Sequence, residues 1–126
     1  MLNIYVLEDH FIQQNRIEEV IHTILKKNNI KVGDFEVFDK PNQLLDFITE
    51  RGSHQLFFLD IQIKDDTKKG LEVAKQIRKS DPYANIVFFT THSEYLPLTF
   101  QYQLAALDFI DKSLEGEDFQ KRLESI

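Results

Sequence analysis

Two apolar runs, Leu56–Leu59 in "QLFFLDIQ" and Ile86–Phe89 in "NIVFFTTH", continue for four residues and then meet a polar one. Runs this short, bounded by polar residues and rich in Phe, Ile and Val, read as strands covered on both faces. Such strands belong to parallel sheets, and parallel neighbours can be joined only through long crossovers, usually helices. The rest of the chain should therefore supply helices between strands.

It does so in regular alternation. "NIYVL" (Asn3–Leu7) reads as a first strand. Ile17, Val20, Ile21, Ile24 and Leu25 then recur at helical spacing on one face. "FEVFD" alternates as a strand, and "PNQLLDFITERG" opens on Pro41 and closes on Gly52, which predicts a helix between them. After "LFFLD" and the polar loop "IKDDTKKG", the stretch "LEVAKQIRKS" places Leu71, Ala74 and Ile77 on one side of a helix. "NIVFFT" is a fourth strand. "EYLPLTFQYQL" is a less regular helix in which Pro97 fits only the first turn. "ALDFID" is a fifth strand, and "EGEDFQKRLESI" a last helix with Phe119, Leu123 and Ile126 facing inward. Five strands alternating with five helices predict an α/β fold, with a doubly wound parallel sheet and helices on both faces. There is no internal repeat, low-complexity tract or interdomain linker.

Composition narrows the functions open to such a fold. A chain of 126 residues is one domain, large enough to bury a core without covalent staples. It has no Cys, which excludes disulfides, thiolate metal sites and a thiol nucleophile. The start "MLNIYVLEDH" meets acids by Glu8, too early for a signal-peptide core, and no apolar run approaches a membrane span. The expected compartment is the cytosol, with no membrane contact. A net charge of −6 makes these residues a poor partner for nucleic acid by themselves.

Open parallel sheets bind ligands at the carboxyl ends of their strands. The residues expected there form a chemically coherent set: Glu8 and Asp9 after strand one, Asp60 after strand three, Thr90 and Thr91 after strand four, and Lys112 after strand five. Three carboxylates together repel unless a cation joins them, and an all-oxygen cluster suits Mg²⁺. A hydroxyl and an ammonium on the same rim suit phosphoryl oxygens. The chemistry suggested is phosphoryl transfer onto a carboxylate, with Asp60 as the nucleophile. His10, His22, His54 and His92 share no ligand spacing, although His92 falls near the crevice and is read as tuning access. "KDDTKK" reads as a solvated loop, not as a second metal site.

The acidic pair in "VLEDH", the Asp in "FFLDIQI", the hydroxyl in "VFFTTHSEY", and the aromatic and Lys in "ALDFIDKS" occur in this order, each at the end of a predicted strand. In this the whole chain resembles the receiver domains of bacterial two-component response regulators. The stretches "LDIQI" to "TTHSEY" and "LTFQYQLAALDFIDKS" are most similar to the AgrA/ComE-type regulators of Gram-positive bacteria, which answer peptide pheromones. The resemblance implies a flavodoxin-like (βα)5 fold with strand order 2-1-3-4-5. Residues 1–126 would be the receiver half of a transcription regulator, and a LytTR-type DNA-binding domain, absent from these residues, would follow. Asp60 would accept a phosphoryl group from a sensor histidine kinase. Glu8, Asp9, Asp60 and the backbone carbonyl of Gln62 would hold Mg²⁺. Thr90 and Lys112 would contact the phosphoryl group, and Phe109 would be the switch aromatic.

Such a domain would promote only its own phosphorylation and dephosphorylation. Phosphorylation would favour a homodimer through a face carrying Phe100, Tyr102 and Gln103. Lys112 is expected to be exposed and to contribute little to stability. The family usually has a cis proline after this lysine; here the residue is Ser113, which leaves cis or trans open. Thr91 is larger than the usual residue and is expected to narrow the crevice. Two other readings are a phosphorylation-independent interaction module and a Mg²⁺-dependent aspartyl phosphatase. The first would usually lose an acid or the Lys, and all are present. The second would want an acid two residues after Asp60, where Gln62 stands. A flavin binder is weaker still, since no phosphate loop follows strand one.

Overall fold

A computed structural model describes residues 1–63, 69–91, 93–102, 104–114 and 116–124. The expectations placed on loop residues 64–68, His92, Gln103 and Ile126 lie outside the described residues. The elements run β1 (Leu2–Leu7), α1 (Phe11–Lys27), β2 (Val32–Phe38), α2 (Pro41–Phe47), β3 (Gln55–Leu59), α3 (Lys69–Ser80) and β4 (Asn85–Thr90). A 3-10 turn (Ser93–Tyr95), α4 (Leu96–Gln101), β5 (Asp108–Asp111) and α5 (Gly116–Glu124) complete the order. The strands form one sheet in the order β2-β1-β3-β4-β5, all pairs parallel. This is the doubly wound topology expected from the alternation.

The two apolar runs lie at the centre, as β3 and β4, and their alternate residues feed two separate cores. Tyr5, Leu7, Phe57, Leu59 and Phe88 pack with Leu44, Leu71 and Ile77 on the face covered by α2, α3 and α4. Ile4, Val6, Phe58, Val87 and Phe89 pack with Ile17, Ile21, Phe119 and Leu123 on the face covered by α1 and α5. The period of two along each strand divides the side chains between these faces. Burying both faces is what makes the central runs apolar without alternation.

Helix α2 ends at Phe47, not at Gly52. Ile48 is already extended, with φ −69° and ψ 121°. β-branched Ile48 and Thr49 disfavour the helix, and a polar network takes over the segment. Asn3 Nδ2 donates to Gln55 Oε1 at 2.6 Å and to Glu50, while Gln55 Nε2 donates to the Glu50 carbonyl. Gly52, at φ 131°, turns the chain into β3, and its amide donates to Asp81. The helix expected over "EYLPLTFQYQL" is divided into the 3-10 turn and a short α4, with Pro97 in the first turn as anticipated.

Candidate functional site

The carboxyl ends of β1, β3, β4 and β5 converge on one side of the sheet. The Asp60 amide donates to the Leu7 carbonyl at 3.0 Å, the Glu8 amide to Phe38, and the Lys112 amide to Thr90 at 3.2 Å. These bonds extend the ladder one step beyond the strands and fix the backbones of the residues that carry the chemistry. Gln14, from the first turns of α1, donates to the Glu8 carbonyl and so ties the acidic pair to the helix that follows it.

The result is a polar cleft of about 290 Å³, lined by Glu8, Asp9, Asp60, Gln62, Thr91 and Lys112 among others. Glu8, Asp9 and Asp60 each offer a carboxylate oxygen within 4.8 Å of the other two. Glu8 is fully buried and Asp60 nearly so, while Asp9 is half-buried. Lys112 Nζ donates to Glu8 Oε1 at 2.6 Å and to Asp60 Oδ2 at 2.8 Å. It is about as buried as its partners, at 9% exposure. The expectation of an exposed, weakly contributing lysine is thus corrected. The strand ends bring the ammonium between two buried carboxylates, and a buried ammonium is stable only if paired.

Burial pushes the Glu8 carboxyl up to about 7, helped by the charge of Asp60; the hydrogen bond from Lys112 opposes the rise. Burial alone would lower Lys112, but its bonds to Asp60 and Glu8 outweigh that and raise it. Glu8 Oε2 also accepts from the His10 amide, so both of its oxygens are engaged. Asp60 differs: Oδ2 faces Lys112, and Oδ1 is buried with no hydrogen-bond partner among the described residues. An unpartnered carboxylate oxygen beside two more acids is a donor set that fits a hard divalent cation such as Mg²⁺.

Other expected residues are distributed around this cleft. Thr91 lines it, whereas Thr90 is fully buried. The Lys112–Ser113 bond is trans, like every peptide bond among the described residues. Phe109 pairs with Phe88 across β4 and β5, with ring centroids 6.1 Å apart. It lines a separate groove of about 620 Å³ with Leu96, Thr99 and Phe100. Phe100, expected on the dimer face, is 76% exposed. Tyr102 is not on that face. It is half-buried against the α3 side, with Lys75 Nζ 4.6 Å from its ring centroid.

Two residues important to the geometry are not evident in the sequence reading. Gly70, in the first turn of α3, lies so close to β3 that a Cβ there would sit 1.7 Å from the Asp60 carbonyl oxygen. Its amide donates to the Ile61 carbonyl at 2.7 Å. In the sequence Gly70 closes the polar loop ahead of the helical pattern, and nothing there marks the approach. Arg16, on α1, donates through Nη1 to the Lys112 carbonyl. No local pattern marks that contact.

The chain matches the family model of the response regulator receiver domain over residues 4–124. It is 35% identical over 116 residues to the accessory gene regulator protein A of Staphylococcus epidermidis, covering 92% of this chain and 48% of the relative. It thus spans about half the length of that curated relative. The non-phosphorylated HemR receiver domain from Leptospira biflexa superposes with a TM-score of 0.75 at 20% identity, over 99% of this chain and 93% of that one. The response regulator TrrA from Thermotoga maritima, in complex with Mg²⁺ and beryllofluoride, superposes at 0.65 with 24% identity, over 99% and 98%. No helix among the described residues is long and apolar enough to cross a membrane.

Proposed function

The chain belongs to the response regulator receiver domain family, close to the accessory gene regulator A type, and from that premise we propose that it accepts a phosphoryl group on Asp60 from a sensor histidine kinase. The observation that carries the proposal is the unpartnered, buried Oδ1 of Asp60, set beside the acids Glu8 and Asp9 while Lys112 holds Oδ2. A carboxylate oxygen of Asp60 forms the new P–O bond as the donor's bond to phosphorus breaks, and the product is an acyl phosphate.

Glu8, Asp9, Asp60 and the carbonyl of Gln62 would hold Mg²⁺, which when bound supplies the positive charge that lets a phosphoryl group enter an acidic cleft. The protein's own groups do the rest. Lys112, freed from full engagement with Asp60, pairs with a phosphoryl oxygen, and the Thr90 hydroxyl turns towards another. Movement of Thr90 opens space that Phe109, on the neighbouring strand, can enter. That couples a local charge event to the face made by α4, β5 and α5. The domain promotes only its own phosphorylation and dephosphorylation. Its output passes through a homodimer and a C-terminal LytTR-type DNA-binding domain, in a cytoplasmic regulator that answers a peptide pheromone.

The test is incubation with Mg²⁺ and acetyl phosphate, read by intact mass. A single phosphoryl adduct that disappears in Asp60→Ala is the expected result. No adduct would favour a phosphorylation-independent interaction module. Sustained release of phosphate from many substrates would favour a phosphatase.

A further inference from the structure

Lys112 stands on a short turn that has no proline to stiffen it. The turn's internal bonds run from the Ser113 amide to Asp111 Oδ1 and from the Leu114 amide to the Asp111 carbonyl. Neither holds residue 112 itself. Its amide is held by Thr90 and its ammonium by Glu8 and Asp60. Its carbonyl is held from outside the turn. Arg16, one turn beyond the exposed start of α1, donates to that carbonyl at 2.5 Å across 96 residues of sequence. The same guanidinium stacks on Phe119 of α5, 3.9 Å from the ring centroid, and Nη1 also reaches Gln13 Oε1 at 3.4 Å.

We propose that Arg16 is a positioning residue for Lys112, fastening the turn between β5 and α5 to α1 so that the ammonium is aimed at Asp60. The inference rests on the reading of Lys112 as the cation that meets the phosphoryl group. Its physical basis is the division of labour at one residue. A lysine side chain has four rotatable bonds, so its ammonium is only as well placed as its backbone. With amide and carbonyl both held, the side chain starts from a fixed point. A charged donor makes the stronger kind of hydrogen bond, and a planar guanidinium can stack on an aromatic ring while it donates in its own plane. Lysine at position 16 could supply charge but not both contacts. The contacts of Arg16 with Gln13, Phe119 and the Lys112 carbonyl reach no reacting atom. Its effect on phosphorylation should therefore be expressed through Lys112.

That requirement sets the experiment. Phosphorylation by acetyl phosphate with Mg²⁺ is followed by intact mass for wild type, Arg16→Ala, Arg16→Gln, Arg16→Lys, Lys112→Ala and the double variant Arg16→Ala with Lys112→Ala. Loss of Arg16 should slow the reaction about tenfold, as small misplacements of a reacting group do. Neither Gln nor Lys should restore it. In the Lys112→Ala background the same change should alter the rate within about twofold, the mark of a residue acting through its neighbour. Arg16→Gln keeps much of the packing and guards against a folding defect in the Ala variant.

Hydrogen exchange supplies a readout that does not need phosphorylation. The Lys112 amide should exchange about tenfold faster in Arg16→Gln, while Val87 and Phe88 amides in the sheet stay protected. Unchanged exchange at Lys112 overturns the proposal. So does a rate loss that persists undiminished without Lys112. If wild type takes no phosphoryl group, the reading of Asp60 fails, and the exchange measurement alone decides whether Arg16 fastens residue 112.

Discussion

Lys112 is bonded to residues 104 and 52 positions away in sequence. Removing its ammonium would leave the buried Glu8 and Asp60 carboxyls without the cation they share. Breaking a buried ion pair on one side costs more than the pair contributes, because the stranded charges remain. Lys112→Ala should therefore lower stability by about 3 kcal/mol in metal-free buffer, read as a shift in the urea midpoint, and saturating Mg²⁺ should recover much of it. An unchanged midpoint would mean that the ammonium is not the partner of the two acids in solution. The acids themselves should be unequal towards the metal. Both oxygens of Glu8 are already engaged by Lys112 and the His10 amide. Asp9→Ala should abolish measurable Mg²⁺ binding, while Glu8→Ala should weaken it by about tenfold; a titration in which Asp9→Ala binds like wild type removes Asp9 from the ligand set. The identities of these residues can be read from the sequence, because acids, hydroxyl and lysine all follow predicted strands. The burial of Lys112 cannot, since it depends on which distant carboxylates the sheet order places beside it.

The strands were the most readable elements. Ile86–Phe89 and Leu56–Leu59 are apolar because both faces of β3 and β4 are covered, and that condition leaves its trace in the residues themselves. The end of α2 left a weaker one. Gly52 looks like a helix stop, yet the helix ends at Phe47 because Asn3, Gln55 and Asp81 bind the following segment, and those contacts are long-range. Tyr102 shows the same limit: helical spacing allows either side, and contact with Lys75 selects α3. Gly70 is the junction of two elements, since its missing side chain lets α3 start directly against the backbone of Asp60. Gly70→Ala must move either the helix or the acceptor. It should cost about 3 kcal/mol, the upper range for overpacking, and slow phosphorylation of whatever protein remains folded. Wild-type stability and rate in this variant would show that the close approach is absent in solution.

For the molecule as a unit, the cleft and the groove beside Phe109 lie at different places on one sheet, joined by the β4–β5 pair. If Thr90 and Phe109 couple them, then Mg²⁺ with beryllofluoride should strengthen self-association through the face carrying Phe100. Each tenfold gain corresponds to about 1.4 kcal/mol of preference for the active state. Sedimentation should show the gain in wild type and none in Asp60→Ala; an equal gain in both would sever dimerisation from the site. All of this depends on where the phosphoryl group goes. Treating the phosphorylated protein with borohydride reduces an acyl phosphate to the alcohol, so an aspartyl phosphate becomes homoserine, which peptide mass spectrometry locates. The account predicts homoserine at position 60 alone, and only after incubation with Mg²⁺ and the phosphodonor. Homoserine at another carboxylate, or a phosphoryl adduct that yields none, would contradict it.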